Sequence, residues 1–270
     1  MVVGPDLPGL VCVRRVNDAR GRTDFEHDDV YLALRVSDAA EVAVRVYGRP
    51  LRSERDRERF GREVDSLRSL AGEPYVVPVH SAGVTQQDRA FVVTDYCPAG
   101  SLYDHLTTVG RFTPAEVRRI GVKLASALAG AHDRDIFHRN VKPANVLIDS
   151  SGEPALTDFG IVALATSNGD YTPPVPSTQR AYVAPEAFLP ELMSAAADVY
   201  ALGATMYALL AGWAPRTADP LATAVGGETL VDLPKVPWVL MSVLRRAMAL
   251  DPRDRYPHVL DLGAALATAG

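Results

Sequence analysis

Short Val-rich runs, VCVRRV, VYLALRV and EVAVRVY, alternate with polar stretches carrying turn residues between residues 10 and 47, which predicts three strands. Residues 53–70 are charged but place Phe60, Val64, Leu67 and Leu70 three or four positions apart. That spacing predicts one helix with a single apolar face. VVPVHSAGV and FVVTDY predict two more strands around a QQD turn. From about residue 101 the pattern becomes helical, with helices predicted over 101–107, 114–133, 195–211, near 236–250 and over 257–268. Thr113 stands before Pro114 as a cap, the arrangement a helix start favours. Residues 166–181 are rich in Thr, Ser and Pro, lack periodicity and read as a loop. The order is that of an α+β chain: a small strand-rich lobe with one helix, then a larger helical lobe, with no internal repeat or low-complexity linker.

Composition narrows this picture. The 270 residues suit one large domain, and 47% hydrophobic with 23% charged residues describes a soluble globular protein. A net charge of −5 argues against binding nucleic acid through basic charge. Cys12 and Cys97 form neither a disulfide framework nor a CxxC site and are read as inert, so a reducing, cytoplasmic setting is expected. The N-terminus, MVVGPDLPGL, has no basic region or long apolar core, and Met1 suggests a natural start. The most apolar stretch, Ala195–Trp213, contains Asp198 and Gly203. It is too short to cross about 30 Å of hydrocarbon and reads as a buried helix. Arg is strongly preferred over Lys, as in a GC-rich bacterial genome; the only lysines are Lys123, Lys142 and Lys235.

Three motifs carry chemistry. His138-Arg139-Asn140-Val141-Lys142-Pro143-Ala144-Asn145 precedes the apolar run Val146-Leu147-Ile148. Asp158-Phe159-Gly160 follows thirteen residues after Asn145, and Ala184-Pro185-Glu186 closes the Ser/Thr/Pro-rich loop. Each triplet is weak alone; in this order and spacing the chain resembles the bacterial Ser/Thr protein-kinase family over nearly its full length. The resemblance implies a two-lobed protein-kinase-like fold, with a small antiparallel sheet lobe over about 9–96 and a mostly helical lobe over about 97–270. It implies that Asp198 holds the backbone of the His-Arg-Asn loop and that Arg255 pairs with Glu186. His138 joins them as an architectural residue. Val42–Val46 is similar to the strand that carries the family's ATP-binding lysine, and Glu63, eighteen residues on, stands where its pairing glutamate stands. Asp95 and Tyr96 fall at the hinge and Thr94 at the back of the nucleotide pocket. Val30, Ala43 and Leu147 would sandwich an adenine. Leu67, Val79, His138 and Phe159 would stack as a column between the lobes. Asn145 and Asp158 would hold magnesium as oxygen donors; without metal, Asn145 is a loop hydrogen bonder and Asp158 part of a structural turn.

Four positions depart from the family pattern. The catalytic-base aspartate is Asn140, two residues before Lys142; an amide can orient a hydroxyl but cannot take its proton at neutral pH. The phosphate-clamping lysine is Arg45, which keeps the charge but not the shape. Arg45 either contacts phosphate or pairs with Glu63 or Asp158 and fixes the helix. The glycine-rich loop is replaced by residues 17–29, with one glycine and five acidic residues. That stretch is either a solvated loop, a partner-binding surface or an ATP-excluding lid, and Arg20 and Arg22 offset part of its repulsion of phosphate. Gln179 stands where the family has a threonine that bridges the base aspartate and the catalytic-loop lysine.

The resemblance with these departures implies a pseudokinase: a regulatory or scaffolding domain with impaired phosphotransfer, in which ATP and Mg²⁺ binding is weakened or lost. Its partner would be a protein, either an active kinase, a phosphopeptide-recognising module or another regulator. The alternatives are a weakly active, atypical Ser/Thr kinase and a nucleotide-gated switch. Thr166, Ser167, Thr172, Ser177 and Thr178 could accept phosphate from another kinase, with Arg139 as the pairing cation.

Overall fold

The structure, a computed structural model, describes residues 4–16, 28–159, 181–188, 194–215 and 230–270. Five strands, β1 (Leu10–Arg15), β2 (Asp29–Arg35), β3 (Glu41–Pro50), β4 (Val79–Val84) and β5 (Arg89–Asp95), form an antiparallel sheet in the order β1-β2-β3-β5-β4. The period of two along β3 sends Val42, Val44 and Val46 to one face and Ala43, Arg45 and Tyr47 to the other. The three valines are buried with Leu7, Cys12, Ala33, Phe91 and Val93 in a small core on the outer side of the sheet. On the inner side Tyr47, Ala90 and Val92 pack against helix α1 (Glu54–Ser69). Alternation therefore puts Arg45 on the inner face before any contact of its own is made.

Helix α1 starts at Ser53, whose hydroxyl accepts from the Asp56 amide while the Asp56 carboxylate accepts from the Ser53 amide, at 3.1 and 3.0 Å. Such a box satisfies donors that a helix start otherwise leaves unpaired. The buried side chains of α1, Phe60, Val64 and Leu67, form the expected apolar stripe.

The helical lobe is built on α2 (Leu102–Thr108), α3 (Pro114–His132), α4 (Ala195–Ala211), α5 (Trp238–Ala247) and α6 (Val259–Thr268). Residues 198–211 of α4 are all buried, so this apolar stretch is the centre of the lobe. Among the described residues no helix is long and apolar enough to cross a membrane. One continuous core runs from Phe60 and Leu67 of α1 through Phe159 to α3, α4, α5 and α6. Gly121 of α3 is needed for this packing: a Cβ there would lie 2.5 Å from Leu266 Cδ1 and 3.0 Å from Met206 Sδ.

The short strands β6 (Val146–Ile148) and β7 (Pro154–Leu156) pair antiparallel as a hairpin. β6 was expected from its apolar run, whereas β7, opened by Pro154 and only three residues long, lacks a strand signature. Asp149 organises the turn by accepting from the amides of Ser151 and Glu153 at 2.8 and 2.9 Å. Asn145 precedes this hairpin and Asp158 follows it closely, so the thirteen-residue spacing is the length of a folded-back connection.

Gly121→Val forces Leu266 and Met206 to move. It is expected to destabilise the chain by about 1–3 kcal/mol, read as a lower urea midpoint with unchanged slope.

Candidate functional site

The cleft between sheet and helices is floored by the loop from His138 to Asn145. Its shape is imposed by Asp198 of α4, which is 1% exposed. The Asp198 carboxylate accepts from the amides of His138 and Arg139, both at 2.8 Å, and bonds His132 Nε2 at 2.9 Å. Pulling two consecutive amides onto one carboxylate holds Arg139 at φ 65°, a left-handed conformation that a non-glycine residue adopts only when its surroundings fix it. The loop is tied further by the Asn140 amide donating to His138 Nδ1 at 3.3 Å. The His138 ring packs on Phe159 with centroids 4.4 Å apart, and burial pushes its pKa below the usual imidazole range.

Asn145 is buried and donates from Nδ2 to the Asn140 carbonyl at 2.9 Å, while its own carbonyl accepts from the Thr157 amide at 3.0 Å. Asp158 sits one residue beyond that link, at φ 66°. Lys142 is buried beside them. Asn140, Lys142, Asn145 and Asp158 are thus carried by one hydrogen-bonded unit, the loop and its hairpin. Arg255, with a fully buried side chain, grips Glu186 in a fork at 2.5 and 2.7 Å. It also donates to the carbonyls of Ala249, Ala196 and Leu250. A buried guanidinium needs that full set of acceptors.

Arg45 faces the hairpin from β3. Its Nη1 donates to Asp158 Oδ2, and its Nε and Nη2 donate to Asp28 Oδ2 at 3.1 and 2.9 Å. Asp28 Oδ1 accepts from the Gly48 amide at 2.7 Å, and the Asp28 side chain is 2% exposed. Of the two pairings expected for Arg45, the contact is with Asp158. Among the described residues no ion pair joins Arg45 to Glu63. Glu63 instead meets Arg59 of its own helix at 3.4 Å, and its other oxygen is buried with no hydrogen-bond partner among the described residues. Burial pushes the Glu63 carboxyl up to about 7, against the weaker pull of Arg59 and Arg139.

Val30, Arg45, Leu67, Val79, Thr94, Leu147, Asp158 and Phe159, all singled out from the sequence, line one crevice together with Tyr47. Ala43 pairs in register with Thr94, at the edge of the same region. Asp95 ends β5 with its carboxylate on His80 Nε2 at 2.6 Å, and Tyr96 Oη accepts from Arg14 Nη2 of β1 at 3.0 Å. The open volume of the crevice is about 50 Å³, whereas ligand pockets commonly enclose roughly 300–1,000 Å³. Among the described residues no three His, Cys, Asp or Glu side chains gather as a metal cage. Asp158 and Asn145 are hard oxygen donors of the kind that hold magnesium together with substrate phosphates. That partial set fits the ion, provided Arg45 shares the Asp158 carboxylate.

Sequence reasoning did not single out Asp28 or Tyr47. Asp28 was grouped with an acidic loop; residues 17–27 of that loop lie outside the described residues, as do Gly160, Thr166, Ser167, Thr172, Ser177, Thr178 and Gln179. The missed signal was register. Val30 pairs with Arg45 across β2 and β3, so Asp28, two positions earlier, is a diagonal neighbour on the same face. The neighbouring Asp29 is likewise compensated, by Arg15 and Arg89.

With this geometry in hand, comparison with known proteins gives a consistent result. The model of the protein kinase domain matches residues 26–232. The serine/threonine-protein kinase PknK of Mycobacterium tuberculosis is 36% identical over 246 residues, 88% of this chain and 22% of that protein. The serine/threonine-protein kinase PrkC of Bacillus subtilis is 30% identical over 278 aligned positions, 100% of this chain and 42% of that protein. The chain therefore spans well under half the length of these relatives. The crystal structure of the M. tuberculosis PknI kinase domain superimposes with a TM-score of 0.74 at 26% identity, covering 100% of this chain and 99% of that one.

Glu63 yields a pH prediction. The folded chain keeps this proton up to about pH 7, whereas an unfolded chain releases it near 4.5. The folded state then binds more protons between those values, so the contribution of Glu63 to stability is fully present below about 4.5 and lost as pH rises through 7. Urea unfolding at pH 5 and pH 8 is expected to show a smaller pH dependence for Glu63→Gln than for the wild type, and greater stability of the variant at pH 8.

Proposed function

Since the chain belongs to the protein kinase domain family and its relatives are bacterial Ser/Thr kinases, we propose that it acts as a pseudokinase, a regulatory or scaffolding domain in which phosphotransfer is impaired. The observation that carries this reading is Asn140 at the base position of an otherwise rigidly assembled catalytic loop. Asp198, Asn145 and the β6–β7 hairpin hold that loop as a working site would need it, yet its central side chain is an amide. General-base catalysis contributes about 10²–10⁴ in rate, and an amide supplies only orientation. Arg45 supports the same reading, because its contacts with Asp28 and Asp158 occupy the groups nearest the phosphate position.

Mg·ATP, when bound, would supply a γ-phosphoryl group whose charge is spread over oxygens held by the ion. The chain's own residues have narrower tasks. Val30 and Leu147 flank the adenine slot, Arg45 offers a fixed positive charge, and Asp158 and Asn145 offer oxygens to the cation. Nucleotide entry requires the 50 Å³ crevice to widen. A protein partner, either an active kinase, a phosphopeptide-recognising module or another regulator, fits a domain that keeps its architecture while losing its base.

A second reading, a weakly active Ser/Thr kinase, is favoured by the names of the relatives and by the cation kept at Arg45. Phosphotransfer relies mainly on positioning and charge stabilisation, so residual turnover is chemically feasible.

Purified chain with Mg·ATP and a generic protein substrate is expected to transfer phosphate at least about a hundredfold more slowly than an ordinary kinase domain. Ordinary turnover that Asp158→Ala abolishes would overturn the pseudokinase reading. Thermal unfolding with nucleotide separates the remaining roles. A magnesium-dependent shift without turnover, approaching about 2.7 kcal/mol at a hundred times the dissociation constant, marks a nucleotide-gated switch. Absence of a shift marks a scaffold that does not use nucleotide.

A further inference from the structure

We propose that Asp28, immediately before β2, and not Glu63 of helix α1, is the counter-ion that positions Arg45, so that the cation of the nucleotide strand is held independently of the helix. This concerns how Arg45 is oriented and stands whether or not the chain transfers phosphate.

The first support is geometric. Asp28 Oδ2 takes both Nε–H and Nη2–H from one edge of the guanidinium, at 3.1 and 2.9 Å, and Oδ1 takes the Gly48 amide at 2.7 Å. Both carboxylate oxygens are used, and the carboxylate is rigidly tied to the backbone of β3, the strand that carries Arg45. With 2% of its side chain exposed, Asp28 is a desolvated anion that needs a close cation, and Arg45 meets that need.

The second support is Glu63. Its ion partner is Arg59, one turn away on the same helix, and its second oxygen is buried with no hydrogen bond among the described residues. A carboxylate that orients a guanidinium takes N–H donors from it, as Asp28 does, and among the described residues no ion pair joins Glu63 to Arg45. Burial is the main cause of the upward displacement of the Glu63 pKa, and the cations that pull against it are Arg59, Arg139 and Arg62.

The third support explains why the residue is arginine. The guanidinium has one edge on Asp28 and a further N–H on Asp158, spanning from the sheet to the turn after β7. A planar group with five donors in fixed directions can satisfy two carboxylates in different directions, whereas a single ammonium on a flexible stem does so poorly. With the helix carboxylate out of this set, displacement of α1 would break no ion pair of Arg45 with Glu63, and the strand cation would stay aimed at Asp158.

The test is a pair of double-mutant cycles on the full chain without nucleotide, read by urea unfolding. One combines Arg45→Met with Asp28→Asn, the other Arg45→Met with Glu63→Gln. The Asp28 cycle is expected to be non-additive by about tenfold or more in the unfolding equilibrium constant, and the Glu63 cycle additive within about twofold. Coupling in the Glu63 cycle equal to or larger than that in the Asp28 cycle would overturn the proposal. Should Asp28→Asn fail to fold, the NMR signal of the Arg45 Nε–H decides. In Glu63→Gln it is expected to keep its wild-type shift and slow hydrogen exchange, and loss of that protection would equally reject Asp28 as the positioning residue.

Discussion

A carboxylate inside the buried central helix of a protein has to be matched by hydrogen-bond donors, and much of the cleft follows from how Asp198 is matched. Unpaired, a buried carboxylate would cost several kcal/mol. Here two successive amides and a histidine supply the donors. Meeting that demand forces Arg139 into a left-handed conformation and fixes the path of the chain through Asn140, Lys142 and Asn145. Asn145 then anchors the start of the hairpin to Thr157, and the hairpin delivers Asp158 to the cleft. The helix must be buried for the carboxylate to exert such control, and Gly121 and Gly203 permit the close packing that buries it.

Charge is distributed unevenly across the resulting cleft. The floor carries Asp158 and the amides of Asn140 and Asn145, while the roof contributes Arg45 and, behind it, Asp28. In a narrow, half-buried space these charges interact more strongly than they would in water. In this cleft one arginine already bridges two carboxylates, Asp28 and Asp158. Binding of magnesium would require that balance to be renegotiated at Asp158, since a hard cation and a guanidinium would share the same oxygens.

Much of this was legible in the sequence. The strands β1 to β5, the α1 stripe of Phe60, Val64 and Leu67, the capped start of α3 and the buried α4 follow from periodicity and capping chemistry, which act within a few residues of each other. The pairing of Asp198 with the loop and of Arg255 with Glu186 was implied by the resemblance to the protein-kinase family that the motifs carry. What was not legible depends on groups brought together from a distance. The β7 strand is too short to carry a period, and it forms because Leu156 bonds to the backbone at Tyr75 and Val77. Asp28 reads as one acid among five in a polar stretch until the β2–β3 register sets it diagonally across from Arg45.

The sequence by itself determined the fold family, most of the order of elements and many of the residues that meet in the cleft, including the amide at position 140. Those follow from local periodicity and from the motifs that carry the family resemblance. Tertiary structure alone decided which carboxylate Arg45 would take. Asp28 and Glu63 are both carboxylic acids, so composition and spacing cannot separate them. The choice rests on two facts of packing. The sheet buries Asp28 against the Gly48 amide and the guanidinium edge, while α1 leaves Glu63 with Arg59 and one unmatched oxygen. Desolvation then makes the first carboxylate a firm partner and leaves the second inclined to keep its proton.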